Sequence, residues 1–281
     1  MTESTNAVRT TPFELEVRKD TRFDFSNTPV IHTRNNTYIS HFFNAISLAA
    51  PITEGILMRV ARRVGGDVTD PALKKDLSSF IGQEGVHTRE HRRLNKRLSE
   101  LGFGLEDVCS ELDDTIKRLE ETLSLKKLMA GVVVGEHAVY SMSKVGLSKP
   151  GLFYGQDKEV RRLFEWHAME EMEHQSVCHD IYVHLYGDNL ERRYLYSTVF
   201  IQSSSIVYQV YARLMRELIK HSEKPSAKEL SDFIKWATIS PAVGPFLLRE
   251  LMAFLLPNFK HWGRANIDNS LIHKALNNVY S

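Results

Sequence analysis

The segment Trp166-His167-Ala168-Met169-Glu170-Glu171-Met172-Glu173-His174 decides how this chain is read. Glu171 and His174 stand three apart, and His167 stands one turn before Glu171, so on a helix the three share a face. A second Glu-x-x-His, Glu84 and His87, occurs earlier, and His91 extends its stripe by another turn. Two lone glutamates accompany these pairs. Glu136 interrupts the apolar run from Leu128 to Met142, between Val132-Val133-Val134 and Ala138-Val139. Glu54 lies between Ile52 and Ile56-Leu57. Two Glu-x-x-His pairs, each preceded on another helix by a lone Glu, form the ligand set of carboxylate-bridged two-metal bundles.

Periodicity places these residues on helices. Phe42, Phe43, Ile46, Ala49, Ala50, Leu57 and Val60 recur at helical spacing and predict a helix over 38–64, with Pro51 expected to kink or divide it. Asp70-Pro71 reads as an N-cap followed by proline at the first helical position, opening a helix over 71–101 that closes at Gly102. Residues 106–122 form a connecting helix. The apolar stretch 123–145 is a helix ended by Gly146, and 156–186 is one helix stopped by Gly187-Asp188. Further helices are expected over 190–221, 227–256 and 260–278, with Pro225, Pro241, Pro245 and Pro257 breaking or bending the region. No alternating stretch is long enough to argue for a sheet. The expected architecture is all-α. Residues 1–36 are an irregular arm laid over the helices through Phe13, Phe23 and Phe25. Residues 37–281 are a single metal-binding domain, with a core bundle over 37–187 and extra helices over 190–278.

The carboxylates repeat one geometry. Glu54 lies ten residues before the end of its helix and Glu84 thirteen after the start of the next; Glu136 lies ten before Gly146 and Glu171 fifteen after Gln156. In antiparallel helix pairs, with a rise of about 1.5 Å per residue, these offsets bring the carboxylates to one height. Two close divalent cations need anionic ligands to offset their repulsion, and carboxylates bridge while imidazoles each supply a nitrogen. Four carboxylates buried without metal would be costly or protonated. A single Glu-x-x-His on a charged helix is ordinarily solvated, so the argument rests on the joint pattern. The expected metal ligands are Glu54, Glu84, His87, Glu136, Glu171 and His174, with His91 and His167 as further candidates that also read as packed histidines. Glu170 and Glu173 read as a flank neighbour and a surface charge. His137 reads as an outer or surface residue. Tyr140, one turn from Glu136, is the candidate catalytic side chain, against ordinary aromatic packing. Cys178 reads as a small buried hydrophobe.

Composition excludes several classes. The 281 residues carry 36 Lys+Arg against 35 Asp+Glu, a formal net charge of +1, so nothing steers the chain to nucleic acid. Two cysteines make no disulfide framework and fit a reducing, cytoplasmic setting. The N-terminal stretch has no apolar core of a signal peptide, and no uncharged apolar run is long enough to span a membrane.

At Pro51-Ile52-Thr53-Glu54-Gly55, Gln83-Glu84-Gly85-Val86-His87 with His91, Gly135-Glu136-His137 and Trp166 to His174, the chain resembles the ferritin-like di-iron superfamily. Within it, the chain resembles the bacterial family of predicted metal-dependent hydrolases, over roughly residues 35–270. The resemblance implies a ferritin-like four-helix bundle with a dinuclear site and a soluble helical metalloprotein. The histidines beyond the usual two depart from the simplest ferritin-like pattern.

The leading expectation is a di-iron oxidase or oxygenase acting on a small organic substrate with dioxygen, drawing on an electron donor. The cofactor would be two metal ions, iron first, with manganese or zinc as alternatives. The alternative is a two-metal hydrolase that activates a bridging water; behind it stands a non-catalytic metal-binding protein. A second copy of the chain, as a homodimer, is a compatible partner. The C-terminal helices are expected to roof a substrate pocket lined by Phe200, Tyr208, Phe246 and Phe254.

Overall fold

The computed structural model describes residues 14–149, 151–173, 176–188, 190–239 and 243–253. Among them every regular element is a helix, apart from one isolated bridge between Thr33 and Gln156. The helices are α1 (Thr37–Val64), α2 (Pro71–Leu98), α3 (Glu106–Thr122), α4 (Leu125–Ser148), α5 (Lys158–Glu173), α6 (Val177–Tyr186), α7 (Leu190–His221), α8 (Ala227–Thr238) and α9 (Val243–Ala253). Asn36, Asp70 and Ser124 cap α1, α2 and α4 by accepting backbone N–H bonds. A π-helical turn, Ser99–Phe103, extends α2, and Gly102 closes it at φ 84°, a left-handed conformation that glycine adopts without strain.

Helix α1 packs on α2, and α4 on α5 and α6; α1 also meets α4, and α2 meets α5 and α6. The pair α1/α2 is antiparallel: Ser47 meets Asn95, while Glu54, two turns further on, meets Thr88. Apolar side chains form layers along this group. One layer holds Leu57, Val60 and Val64 with Leu73, Leu77, Phe80, Met129, Val133 and Ile181. Another holds Phe43, Leu94, Tyr140, Leu163, Trp166 and Met169. Glu54, Glu84, Glu136 and Glu171 fall between these layers in the sequence of their helices and are all buried. The irregular segment 14–36 lies against this second layer through Phe23 and Phe25; the Phe23 ring sits 5.6 Å from that of Trp166. Phe13 lies outside the described residues.

Pro51 neither ends nor divides α1. A proline lacks the N–H that would bond the carbonyl four residues earlier. That carbonyl, Ser47 O, is instead taken by Asn95 Nδ2 of α2 at 2.9 Å. Gly146 also fails to end its helix, and α4 runs on to Ser148. Its role is close approach: a Cβ there would meet the Phe153 ring at 3.0 Å. The helix expected over 156–186 is two, α5 described as far as Glu173 and α6 starting at Val177 after a turn at Ser176, and the helix expected over 227–256 is likewise α8 and α9. The helix expected over 260–278 lies outside the described residues. Helix α7 packs on α1 and α4, burying Tyr196, Val199, Val210, Leu214 and Leu218. Tyr208 is on the other side of that helix and 72% exposed, so it lines no interior pocket. Phe200 is half-buried against the first layer, and Phe254 and the Phe246 side chain lie outside the described residues. Among the described residues no helix is long and apolar enough to cross a membrane.

Candidate metal centre

Helices α1, α2, α4 and α5 each deliver a carboxylate to one buried region. Two overlapping groups have ligand atoms within 4.8 Å of one another: Glu54, His87 and His167, and Glu84, His87 and Glu171. His87 belongs to both. Its Nδ1 lies 3.7 Å from Glu84 Oε2 and 3.6 Å from Glu171 Oε1. His167 Nε2 lies 2.9 Å from Glu171 Oε1 and 3.8 Å from Glu54 Oε1. The two imidazoles stack, with ring centroids 4.1 Å apart.

The electrostatics reflect crowding of like charges away from water. Burial, with repulsion from Glu84, pushes the Glu54 carboxyl up to about 8. Burial does the same to Glu136, also to about 8. Glu171 is pushed well above the carboxylate range by burial and by Glu84, Glu136 and Glu54. For His87, burial alone favours the neutral ring, but hydrogen bonds and charge from Glu170 and Glu84 outweigh it and hold the imidazole well above its usual range. The four glutamates therefore sense one another and His87 as one cluster.

The outer contacts are as ordered as the cluster. His87 Nε2 pairs with Glu170 Oε2 at 3.0 Å. Glu170 also accepts from Trp166 Nε1 at 3.1 Å and from Arg18 at 2.9 Å. Arg18 and Gln83 both donate to Glu173. Glu170 and Glu173 are thus buried partners of the site, not the flank and surface charges read from sequence. Their cation comes from the N-terminal segment, a pairing that helix periodicity does not encode.

On the other side, Thr88 Oγ1 donates to Glu54 Oε2 at 2.6 Å. His91 contacts Ser47 Oγ through Nδ1 at 3.0 Å and His167 Nδ1 through Nε2 at 2.7 Å. Both its nitrogens are engaged, and it stands in neither ligand group. Burial and the His87 charge hold the His91 ring down at about 3, so it is neutral at ordinary pH.

Glu136 stands outside both three-residue groups while sharing their buried surroundings. Tyr140 is buried in the aromatic layer and also stands outside them. His137 faces α9, with Nε2 3.3 Å from Glu250 O. Cys178 is buried, and its thiol is pushed well up by burial and by the charges of Glu136, Glu84 and Glu171. His174, the last residue of the opening motif, lies outside the described residues.

The donor set fits a divalent metal: imidazole nitrogens and carboxylate oxygens converge at ligand spacing in a site shielded from water. Glu54 Oε1 is buried and takes no hydrogen bond among the described residues. An all-helical chain with this buried layer has the make-up of a metalloprotein. The chain belongs to the family described as predicted metal-dependent hydrolase, whose model matches residues 17–264. That description agrees with the hydrolytic alternative better than with the dioxygen-dependent reading. No curated protein and no solved structure matches the chain significantly.

Proposed function

We propose that the chain is a hydrolase with a dinuclear centre set in a ferritin-like four-helix bundle made by α1, α2, α4 and α5/α6. The observation that carries this reading is the sharing of His87 between two ligand groups drawn from α1, α2 and α5. Glu54 and His167 would hold one ion, Glu84 and Glu171 the other, and His87 sits between them. Glu136 and His174 complete the proposed set. Bound divalent ions supply Lewis acidity and a nucleophile from water at neutral pH.

The chain's own part is binding, orientation and exclusion of water. Thr88 orients Glu54 through its 2.6 Å hydrogen bond. Glu170, itself pinned by Arg18 and Trp166, fixes the His87 ring through Nε2 and turns Nδ1 to the carboxylates. The apolar layers on either side keep the dielectric low, which strengthens every charge interaction inside. Tyr140, in one of those layers, is proposed to act close to the reaction and not to carry it.

The test is metal reconstitution of the stripped protein, with Zn2+, Mn2+ and Fe2+ in turn, assayed on carboxylic esters and phosphoesters. Hydrolysis restored by redox-inert Zn2+, or by Mn2+ without consumption of dioxygen, and lost in E84Q and E171Q, is expected. Turnover that requires Fe2+ and consumes dioxygen with an electron donor would overturn it in favour of an oxidase.

A further inference from the structure

The polarity of one hydrogen-bonded chain follows from a proline. Pro51 has no N–H, so Ser47 O is left for another donor, and Asn95 Nδ2 takes it at 2.9 Å. This fixes the amide the right way round: with its NH2 on the carbonyl, Asn95 presents Oδ1 to the Ser47 hydroxyl, 2.7 Å away. The hydroxyl has one hydrogen and gives it to Asn95 Oδ1. Ser47 Oγ can then only accept from His91 Nδ1 at 3.0 Å. A neutral His91 with its proton on Nδ1 has a lone pair on Nε2, which accepts from His167 Nδ1 at 2.7 Å. His167 is left with its lone pair on Nε2, which accepts across the 2.9 Å contact with Glu171 Oε1 and also faces Glu54.

We infer that His91 is a positioning residue and not a metal ligand, and that Pro51, Asn95, Ser47 and His91 together lock His167 in the tautomer that offers Nε2 to a divalent cation. This deepens the metal-centre reading and rests on it for the identity of the ligand. His167 then presents Nε2 while His87, held by Glu170 at Nε2, presents Nδ1. The two stacked imidazoles thus offer unlike nitrogens to the same cluster. Residues that orient ligand histidines typically change metal affinity by about 10–100-fold when removed.

Two measurements decide the inference. In the metal-free protein with 15N-labelled histidine, long-range proton–nitrogen spectra report which ring nitrogen carries hydrogen, with signals assigned from H91Q and H167Q. Nδ1–H on both His91 and His167 is expected, with a mixture at His167 in N95L; an Nε2–H tautomer at His167 in the wild type overturns the inference. The second is Zn2+ affinity by competition with a chelating dye. Glutamine at 91 can accept from His167 and donate to Ser47, so H91Q should stay within about threefold of wild type, while H91L, which does neither, should fall about 10–100-fold. Equal loss in H91Q and H91L would make His91 a ligand and overturn the inference. A wild type that takes up no Zn2+ would count against the metal-centre reading, and the metal-free spectra would still decide the tautomers.

Discussion

Arg18 Nη2 donates to Glu173 Oε1 across 2.6 Å, tying the irregular N-terminal segment to the last described residue of α5. Its other terminal nitrogen reaches Glu170 and Glu173 together. Glu170 is fully buried and Glu173 nearly so. Removing the cation strands two carboxylates, and breaking such a pair from one side costs about 3 kcal/mol or more. R18M should therefore lower the unfolding free energy measured by urea titration by that amount, and E170Q/E173Q should recover part of the loss. A surface-like loss below about 1 kcal/mol would refute the buried-pin account.

The Asn95–Ser47 bond stands in for a backbone bond that Pro51 cannot make. N95A should cost about 1–3 kcal/mol, the penalty for leaving buried polar groups unsatisfied. In a P51A background, the new N–H at position 51 can bond Ser47 O. The cost of N95A there should fall by about 1 kcal/mol. Strict additivity in the double-mutant cycle would show that the two residues do not share that carbonyl.

His32 and His41 form a second buried polar chain, with His41 on α1 more than three turns before Glu54. His32 Nε2 pairs with Asn44 Oδ1 at 2.9 Å, Asn44 Nδ2 with His41 Nδ1 at 3.2 Å, and His41 Nε2 with Ser222 Oγ at 2.6 Å. Serine, histidine and asparagine here imitate a nucleophile and its base, but the polarity is reversed. Asn44 Nδ2 donates to His41 and also to Val30 O, so His41 donates to Ser222, whose hydroxyl points to Leu218 O. Burial holds both rings down at about 4. Their folded pKa lies below the unfolded value of about 6.5, so the unfolded chain binds more protons as pH falls. Stability is intact above about 6.5 and declines toward 4, by about 2 kcal/mol per ring at pH 5. Denaturation midpoints at pH 7 and 5 in wild type and H41Q measure it; an unchanged pH slope in H41Q would reject it.

Metal uptake should expel protons. Glu54 and Glu136 titrate at about 8, and Glu171 is held well above the usual carboxylate range, so near neutrality the metal-free cluster holds protons that ligation must displace. Calorimetry at pH 7 in buffers of different ionisation enthalpy should show at least one proton released per chain, and affinity should fall as pH drops. Heats independent of buffer would contradict it.

Much of this was legible before any coordinates. A charge at Glu136 amid valines pointed to a buried carboxylate, and Glu54, Glu84, Glu136 and Glu171 are all buried. The span of α1 followed from its apolar periodicity, and the start of α2 from the Asp70-Pro71 cap. What periodicity could not give was everything set by distant partners. Glu170 looked like a flank residue because Arg18 lies 152 positions away. Pro51 looked able to divide α1 because its compensation comes from Asn95 on another helix. His91 shares a stripe with Glu84 and His87, yet a stripe gives no information on which ring nitrogens are already engaged. Gly146 looked like a stop because the Phe153 ring it makes room for arrives from the following loop.

The layer of buried glutamates also governs how the stripped protein must be handled. Glu54 and Glu136 keep their protons folded but surrender them unfolded, so their contribution is complete only below about 4.5 and is lost as pH climbs through about 8. The His32 and His41 rings erode stability from the acid side. Chelators and mild alkali therefore act in concert against the fold, and a preparation freed of metal keeps best in slightly acidic buffer, where the two losses, which overlap between about 4.5 and 6.5, balance.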